Sequence, residues 1–165
     1  MHIIESKEFC EEEIIVRNYQ VSDYPAILEI LRELNVVYNN SLKVEQWSKN
    51  SGLRQFKPNL KRVTLVAEKK STGEILCIGV IEATRNTLGQ YIGYLKNWAT
   101  RFDYIGKKLG RILAEKAIDI LRSWGCQSIR IGLGYNVSKK LINVFKNEGF
   151  IPIMIILEKK INRIL

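Results

Sequence analysis

Between Trp98 and Arg111 an apolar strand pattern passes through a turn of glycine and lysine straight into an amphipathic helix, so a strand end and a helix start must lie side by side. The first N–H groups of a helix have no partner inside it. The helix dipole adds about half a positive charge there, and such a helix start can hold an anion such as phosphate. Lys107, Lys108 and Arg111 reinforce that field. The alternative is a plain strand-to-helix connection whose glycines supply turn geometry and whose lysines are solvated. The residues that follow the turn decide between the two.

Apolar spacing predicts the other elements. Residues 1–13 read as an extension or an extra edge element, and 14–19 as a short β-branched strand. Ser22 can cap a helix in which Ile27, Leu28, Ile30, Leu31 and Leu34 share one face and which ends near Asn35. Residues 38–61 are polar and broken by Gly52 and Pro58, with Trp47, Leu53 and Phe56 as anchors of a looser helix. Strands are expected at 62–69, 75–85 and 91–101, and their short turns imply an antiparallel meander. After the turn, Leu109, Ile112, Leu113, Ala117, Ile120, Leu121 and Trp124 keep a helical period that Gly125 stops. A strand at 128–133 then leads to a helix capped by Asn136 or Ser138, with Leu141, Val144 and Phe145 facing inward and Gly149 at its end. An apolar strand at 150–157 completes the pattern. The expected fold class is α/β of the α+β kind: a mixed, mostly antiparallel central sheet flanked by helices, in one domain over 1–165 with its core at 14–160.

Composition removes several function classes. The longest apolar run, 150–157, is far shorter than the ~20 residues of a membrane span. The acidic cluster Glu11, Glu12, Glu13 stands where a secretory leader would be basic and then apolar, so a cytoplasmic protein is expected. Cys10, Cys77 and Cys126 are odd in number and widely spaced, which excludes a disulfide framework and a Cys-x-x-Cys metal site. His2 is the one histidine, which argues against zinc sites and Ser-His-Asp catalysis; no metal is expected. The formal charge of +9 predicts attraction to a polyanion, whether nucleic acid, acidic protein or a multiply phosphorylated cofactor. The basic residues occur as scattered pairs, and no run of five like charges appears, so nucleic acid is not the expected partner.

The stretch from Trp98 to Gly110, the strand to Leu133, Asn136, and the run from Phe145 to Glu148-Gly149-Phe150 together resemble the acyl-CoA-binding core of the GNAT superfamily of N-acetyltransferases. Thr100 stands at the family's valine-like position and Tyr104 at its common aromatic. Ile105-Gly106-Lys107-Lys108-Leu109-Gly110 fills the turn that in the family reads Arg/Gln-x-x-Gly-x-Gly/Ala. Asn136 matches the family's Asn at the next helix start, and Phe145 to Phe150 matches its Tyr-x-x-x-Gly-Phe ending. The element order agrees from about Ile14 to Lys160, and an acyl-CoA N-acyltransferase-like fold is implied.

The resemblance implies acetyl-CoA as co-substrate and a primary amine, of a small molecule or a protein, that attacks the thioester directly. It assigns coenzyme binding to the turn Ile105, Gly106, Lys107, Lys108, Leu109, Gly110 and Arg111, to Trp98, Ala99 and Thr100 as a strand edge for the pantetheine amides, and to Asn136, Lys139 and Phe145. It also marks departures. Ile105 replaces the usual Arg or Gln, and Lys108 a turn glycine. Phe145 stands where a tyrosine often protonates the thiolate, and phenylalanine has no proton to give. Tyr94 occupies a strand position where several members carry a glutamate base. Glu82 is the remaining candidate base, with a solvent-facing glutamate as its plainer reading. Tyr94, Tyr104 and Tyr135 are the available hydroxyls. Because the usual acid and base are replaced, a catalytically weak acyl-CoA-binding or regulatory protein is the alternative. Pairing into a homodimer, common in the family, is a further expectation.

Overall fold

The computed structural model describes residues 13–37, 61–133, 138–157 and 159, and five strands run through the first two of these segments. They are β1 (Ile14–Asn18), β2 (Arg62–Lys69), β3 (Ile75–Arg85), β4 (Tyr91–Thr100) and β5 (Cys126–Ile131), paired in that order in one sheet. The first three pairings are antiparallel and the last, β4 with β5, is parallel. Local chemistry explains the change. At the β3–β4 reversal the Asn86 side chain accepts from the Leu88 and Gln90 amides, and Gly89 takes φ 76°, so the chain turns back at once. A parallel neighbour needs a crossover, which helix α2 (Leu109–Ser123) provides. The mixed, mostly antiparallel sheet is the one expected.

Among the described residues, each face of the sheet carries one helix. Helix α1 (Tyr24–Val37) buries Ile27, Ile30 and Leu31 in a cluster with Tyr19, Val66, Ile75, Ile78 and Ala99. Strand alternation turns Gly93 to the opposite face, where a Cβ on Gly93 would stand 2.8 Å from Leu121 of α2. Leu109, Leu113, Ala117 and Leu121 are the buried stripe of α2, four residues apart and all within the helical period read from the sequence. Each fully buried leucine contributes about 1.5 to 3 kcal/mol, so this stripe sets how α2 sits on the sheet. Gly125, at φ 76°, ends the helix as expected, and β5 starts directly after it, two residues before the expected 128.

The chain divides into one compact unit through Gly132 and another from Leu133. In the second, α3 (Lys139–Asn147) is capped by Ser138, whose hydroxyl accepts from the Leu141 amide at 3.3 Å. It ends in a Schellman motif: Gly149 takes φ 86°, the Phe150 N–H donates to the Phe145 carbonyl, and the Gly149 N–H donates to Lys146. The Phe145 and Phe150 rings meet edge to face at 5.5 Å, the apolar contact that accompanies this cap.

Two expectations are corrected here. Leu141 and Val144 are exposed rather than facing inward. The apolar run 151–157 forms no strand and is exposed throughout, because apolar composition without a neighbouring ladder does not make a sheet. The extension at 1–12 and the looser helix expected within 38–60 lie outside the described residues. No helix among the described residues is long and apolar enough to cross a membrane.

Candidate active site

Strand β4 loses its parallel neighbour halfway along. Its pairing with β5 runs from Tyr91 to Leu95 and stops. Two residues on, Asn97 adopts φ 51°, and the register with β3 slips between Ile78 and Val80, which is a β-bulge. From Lys96 onward β4 therefore presents backbone groups on the side away from β3 without a β5 ladder to take them. The side chains of the expected strand edge are used in packing. Trp98 lies against Gly79, where a Cβ would stand 2.7 Å from its ring, and its Nε1 is 3.6 Å from the Cβ position of Gly110. Ala99 belongs to the α1 cluster, and the Thr100 hydroxyl is 3.2 Å from the Cys77 sulfur. What this stretch offers a ligand is its main chain.

The turn that follows begins with a 3-10 segment, Phe102–Tyr104, and reverses through Gly106 at φ 86° and Lys108 at φ 61°. Lys108 is the N-cap of α2, and no side chain caps the helix. The Arg111 and Ile112 amides bond back to the Lys108 carbonyl, whereas the Leu109 and Gly110 amides have no acceptor among the described residues. Leu109 is buried, so its side chain fixes the helix start while its N–H remains available. Ile105 is exposed, and the Lys107 ammonium lies 4.7 Å over the Tyr104 ring. Arg111 is engaged by Glu115 one helical turn on, at 3.1 Å. Free amides, two left-handed residues and three cations in seven positions are features that can hold an anion.

A polar stripe crosses the face that carries α1. Val66 and Ile78 pack under the helix, and alternation carries the same face along β2 and β3 to Thr64 and Val80, then to Arg62 and Glu82. Arg62, Glu82, Tyr94 and Arg130 stand opposite one another across β2 to β5. Glu82 is only 13% exposed and is held from two sides, by Arg62 Nη1 at 3.0 Å and Lys96 Nζ at 3.0 Å. The Lys96 ammonium also sits 5.2 Å over the Tyr94 ring. Glu82 is thus a buttressed carboxylate rather than the solvent-facing one that was its plainer reading. Sequence reading missed its two cations and Arg130, because cross-strand partners 14 to 48 residues apart leave no local mark.

Of the remaining predicted site residues, Lys139 opens α3, and Phe145 closes it through the pair with Phe150. Asn136 and Tyr135 lie outside the described residues. Cys77 is buried, which pushes its thiol up to about 11, so it is a packing residue and not a nucleophile at neutral pH. Among the described residues no group of three His, Cys, Asp or Glu side chains could hold a metal ion.

Known proteins share this fold. The chain matches a glucosamine-6-phosphate N-acetyltransferase from Arabidopsis thaliana with a TM-score of 0.68 at 20% identity, over 90% of this chain and 99% of that one. An acetyltransferase from Trypanosoma brucei gives 0.69 at 21% identity over the same shares. A protein described as a transcriptional regulator from Bacillus halodurans gives 0.70 at 14% identity, again over 90% and 99%. No curated protein matches the sequence. At these identities the likeness establishes the fold, and the family model for GNAT acetyltransferases goes further by matching residues 24–150. On that match, spanning both helices of the sheet and the turn between β4 and α2, the chain belongs to the acetyltransferase (GNAT) family.

Proposed function

We propose that this protein is an N-acetyltransferase that moves an acetyl group from acetyl-CoA to a primary amine. The observation that supports the reading is the α2 start, where the unaccepted Leu109 and Gly110 amides, Gly106 and three cations lie within seven positions that follow an unladdered stretch of β4. These features suit a diphosphate and an extended amide-bearing arm, and GNAT proteins generally use acetyl-CoA. Bound acetyl-CoA supplies an activated acyl thioester.

The residues of this chain then do three things. The amides of 109 and 110, with Lys107 and Lys108, hold negative charge. The main chain of β4 around the Asn97 bulge orients the acyl arm and offers an N–H to a developing oxyanion. Glu82, fixed by Arg62 and Lys96, accepts an N–H of the incoming amine and takes its proton through water, with the Tyr94 hydroxyl alongside. Each Glu82 oxygen has two lone pairs, so an ion pair on one leaves the other available. The resemblance puts Phe145, which has no proton to give, at the family's acid position, so in this reading the thiolate departs as the anion; with a parent pKa of about 8.5 it is a tolerable leaving group. Positioning supplies most of the acceleration in such a scheme, up to about 7 to 11 kcal/mol in the best intramolecular cases.

Two experiments test this reading. Thiol release from acetyl-CoA across a panel of amines is expected to rise with one class of amine; silence across the panel, together with tight CoA binding, would favour a non-catalytic acyl-CoA-binding protein. In calorimetry with CoA, Gly110→Asp is expected to remove binding. The Cβ has room 3.6 Å from Trp98, so the change tests charge and not packing.

A further inference from the structure

The entry to the turn is tied down by a single residue. The Arg101 amide donates to the Leu76 carbonyl at 2.9 Å, and its Nε donates to the Ile75 carbonyl at 2.9 Å, both on β3. Its two terminal nitrogens reach α1, Nη1 to Glu33 and Nη2 to Glu29, each at 3.0 Å. Glu74 adds a third carboxylate at 3.4 Å from Nε. The other Glu33 oxygen accepts the Phe102 amide at 3.2 Å, so one carboxylate fixes both the guanidinium and the peptide that starts the turn. Three backbone bonds within the turn are local: Tyr104 to Arg101, Ile105 to Phe102, Lys107 to Tyr104. Phe102 and Ile105 are exposed, so neither side chain is anchored in the core. Arg101 holds one end of the turn and the buried Leu109 holds the other.

We propose that Arg101, clamped by Glu29 and Glu33 of α1 and by the Ile75 carbonyl, is the positioning residue that aims the amides of the 105–110 turn. This rests on the reading of that turn as the coenzyme site. A guanidinium is suited to the task because its donors lie in one rigid plane, so four acceptors fix its orientation as well as its place. It also neutralises charge. Glu29, Glu33 and Glu74 would otherwise place three carboxylates beside a turn that must attract an anion. Because α1 supplies two of the four partners, any shift of α1 is passed to the turn.

The test is calorimetry with CoA on the full chain, with thermal melts run in parallel. Parent protein is expected to bind CoA, and Arg101→Gln to bind about 10-fold or more weakly, the scale on which misplaced binding groups lose effect. Arg101→Lys keeps the charge without the fork and is expected to recover only part of the loss. Arg17→Gln, which breaks a clamp of similar size on β1, is expected to lower the melting temperature at least as much while leaving CoA affinity within about 2-fold, as distant independent sites do. Equal CoA affinity in folded Arg101→Gln and parent would overturn the proposal. So would an equal loss in Arg17→Gln, since the effect would then be one of general stability. Absence of binding by the parent would remove the coenzyme reading and this role together. Amide exchange at Phe102, unchanged or accelerated in Arg101→Gln, would then show separately whether the clamp orders the turn.

Discussion

Arg17 and Arg101 make clamps of the same construction with opposite settings. Arg17, on β1, holds both oxygens of Asp23 at 2.8 and 2.9 Å and Glu68 of β2 at 2.6 Å. Asp23 is 6% exposed and also accepts the Gln20 amide, so this clamp closes on the frame of the sheet. Arg101 is 18% exposed, but its helix partners Glu29 and Glu33 are 60% and 36% exposed. Ion pairs that water can replace contribute little to stability, whereas removing one partner of a buried pair strands a charge. The contrast teaches that a buried clamp stabilises the fold, while a wet one at the edge of a turn directs geometry.

The largest expected effect breaks the buried clamp. Arg17→Met should cost about 3 kcal/mol in urea denaturation, because Asp23 is left charged and buried without its cation. The same clamp has a pH signature. Burial alone would push the Asp23 carboxyl up, but the Arg17 hydrogen bonds, the Gln20 amide and the Arg17 charge together hold it below its ordinary value. A depressed carboxylate contributes stability that is present above its unfolded pKa, about 3.9, and is lost as pH falls through the lower folded value. Stability measured at decreasing pH should therefore drop in the acid range below about pH 4, and Asp23→Asn should flatten that drop. An unchanged acid profile in Asp23→Asn would break the distinction between the clamps.

Glycines at two sheet positions sharpen it with a smaller effect. Gly79→Ala would press a Cβ 2.7 Å from the Trp98 ring, and Gly93→Ala one 2.8 Å from Leu121. Overpacking of this kind costs about 1 to 3 kcal/mol, and both variants should melt earlier by a similar amount. Only Gly79→Ala pushes the ring that borders Gly110 at the start of α2, so only this variant should also weaken CoA in calorimetry. Equal CoA binding in the two variants would show that Trp98 does not transmit the change.

How much of this could be read beforehand follows from the range of each signal. The α2 stripe, the Gly125 stop, the β2–β3–β4 meander and the Gly-Lys turn were legible because each is written within a few consecutive residues. Both clamps were not, since Arg101 meets Glu29 and Glu33 across 72 and 68 positions and Arg17 meets Glu68 across 51. Glu82 was picked out as a strand carboxylate, but its pairing with Arg62 and Lys96 depends on register, which alternation alone leaves free to slide by two. The run 150–157 misled for the opposite reason: apolar content is a local signal, and a strand also needs an edge to bond to. Asn97 carried a usable hint, because asparagine tolerates the left-handed region better than most residues and here marks the bulge.

Lys108 brings the two kinds of effect into a single residue, at the smallest scale. It holds φ 61°, where a side chain costs about 1 kcal/mol that glycine does not, and the GNAT pattern has a glycine here. Lys108→Gly should raise stability by about 0.5 kcal/mol after the extra chain entropy of glycine is subtracted, a shift of about 1 to 2 °C in a melt. The lysine charge at the N-cap of α2 works in the other direction. Its loss should weaken CoA about 2-fold at low salt and have no effect at high salt, as expected of a solvent-screened charge. Lys108→Met separates the terms, since it keeps the strained backbone and discards the charge. It should bind CoA as Lys108→Gly does and melt as the parent does. If Lys108→Gly melts higher and binds CoA equally well at low salt, the charge is not used. The seat then belongs to the backbone amides, and its affinity depends on the Arg101 clamp that aims them rather than on the charge at 108.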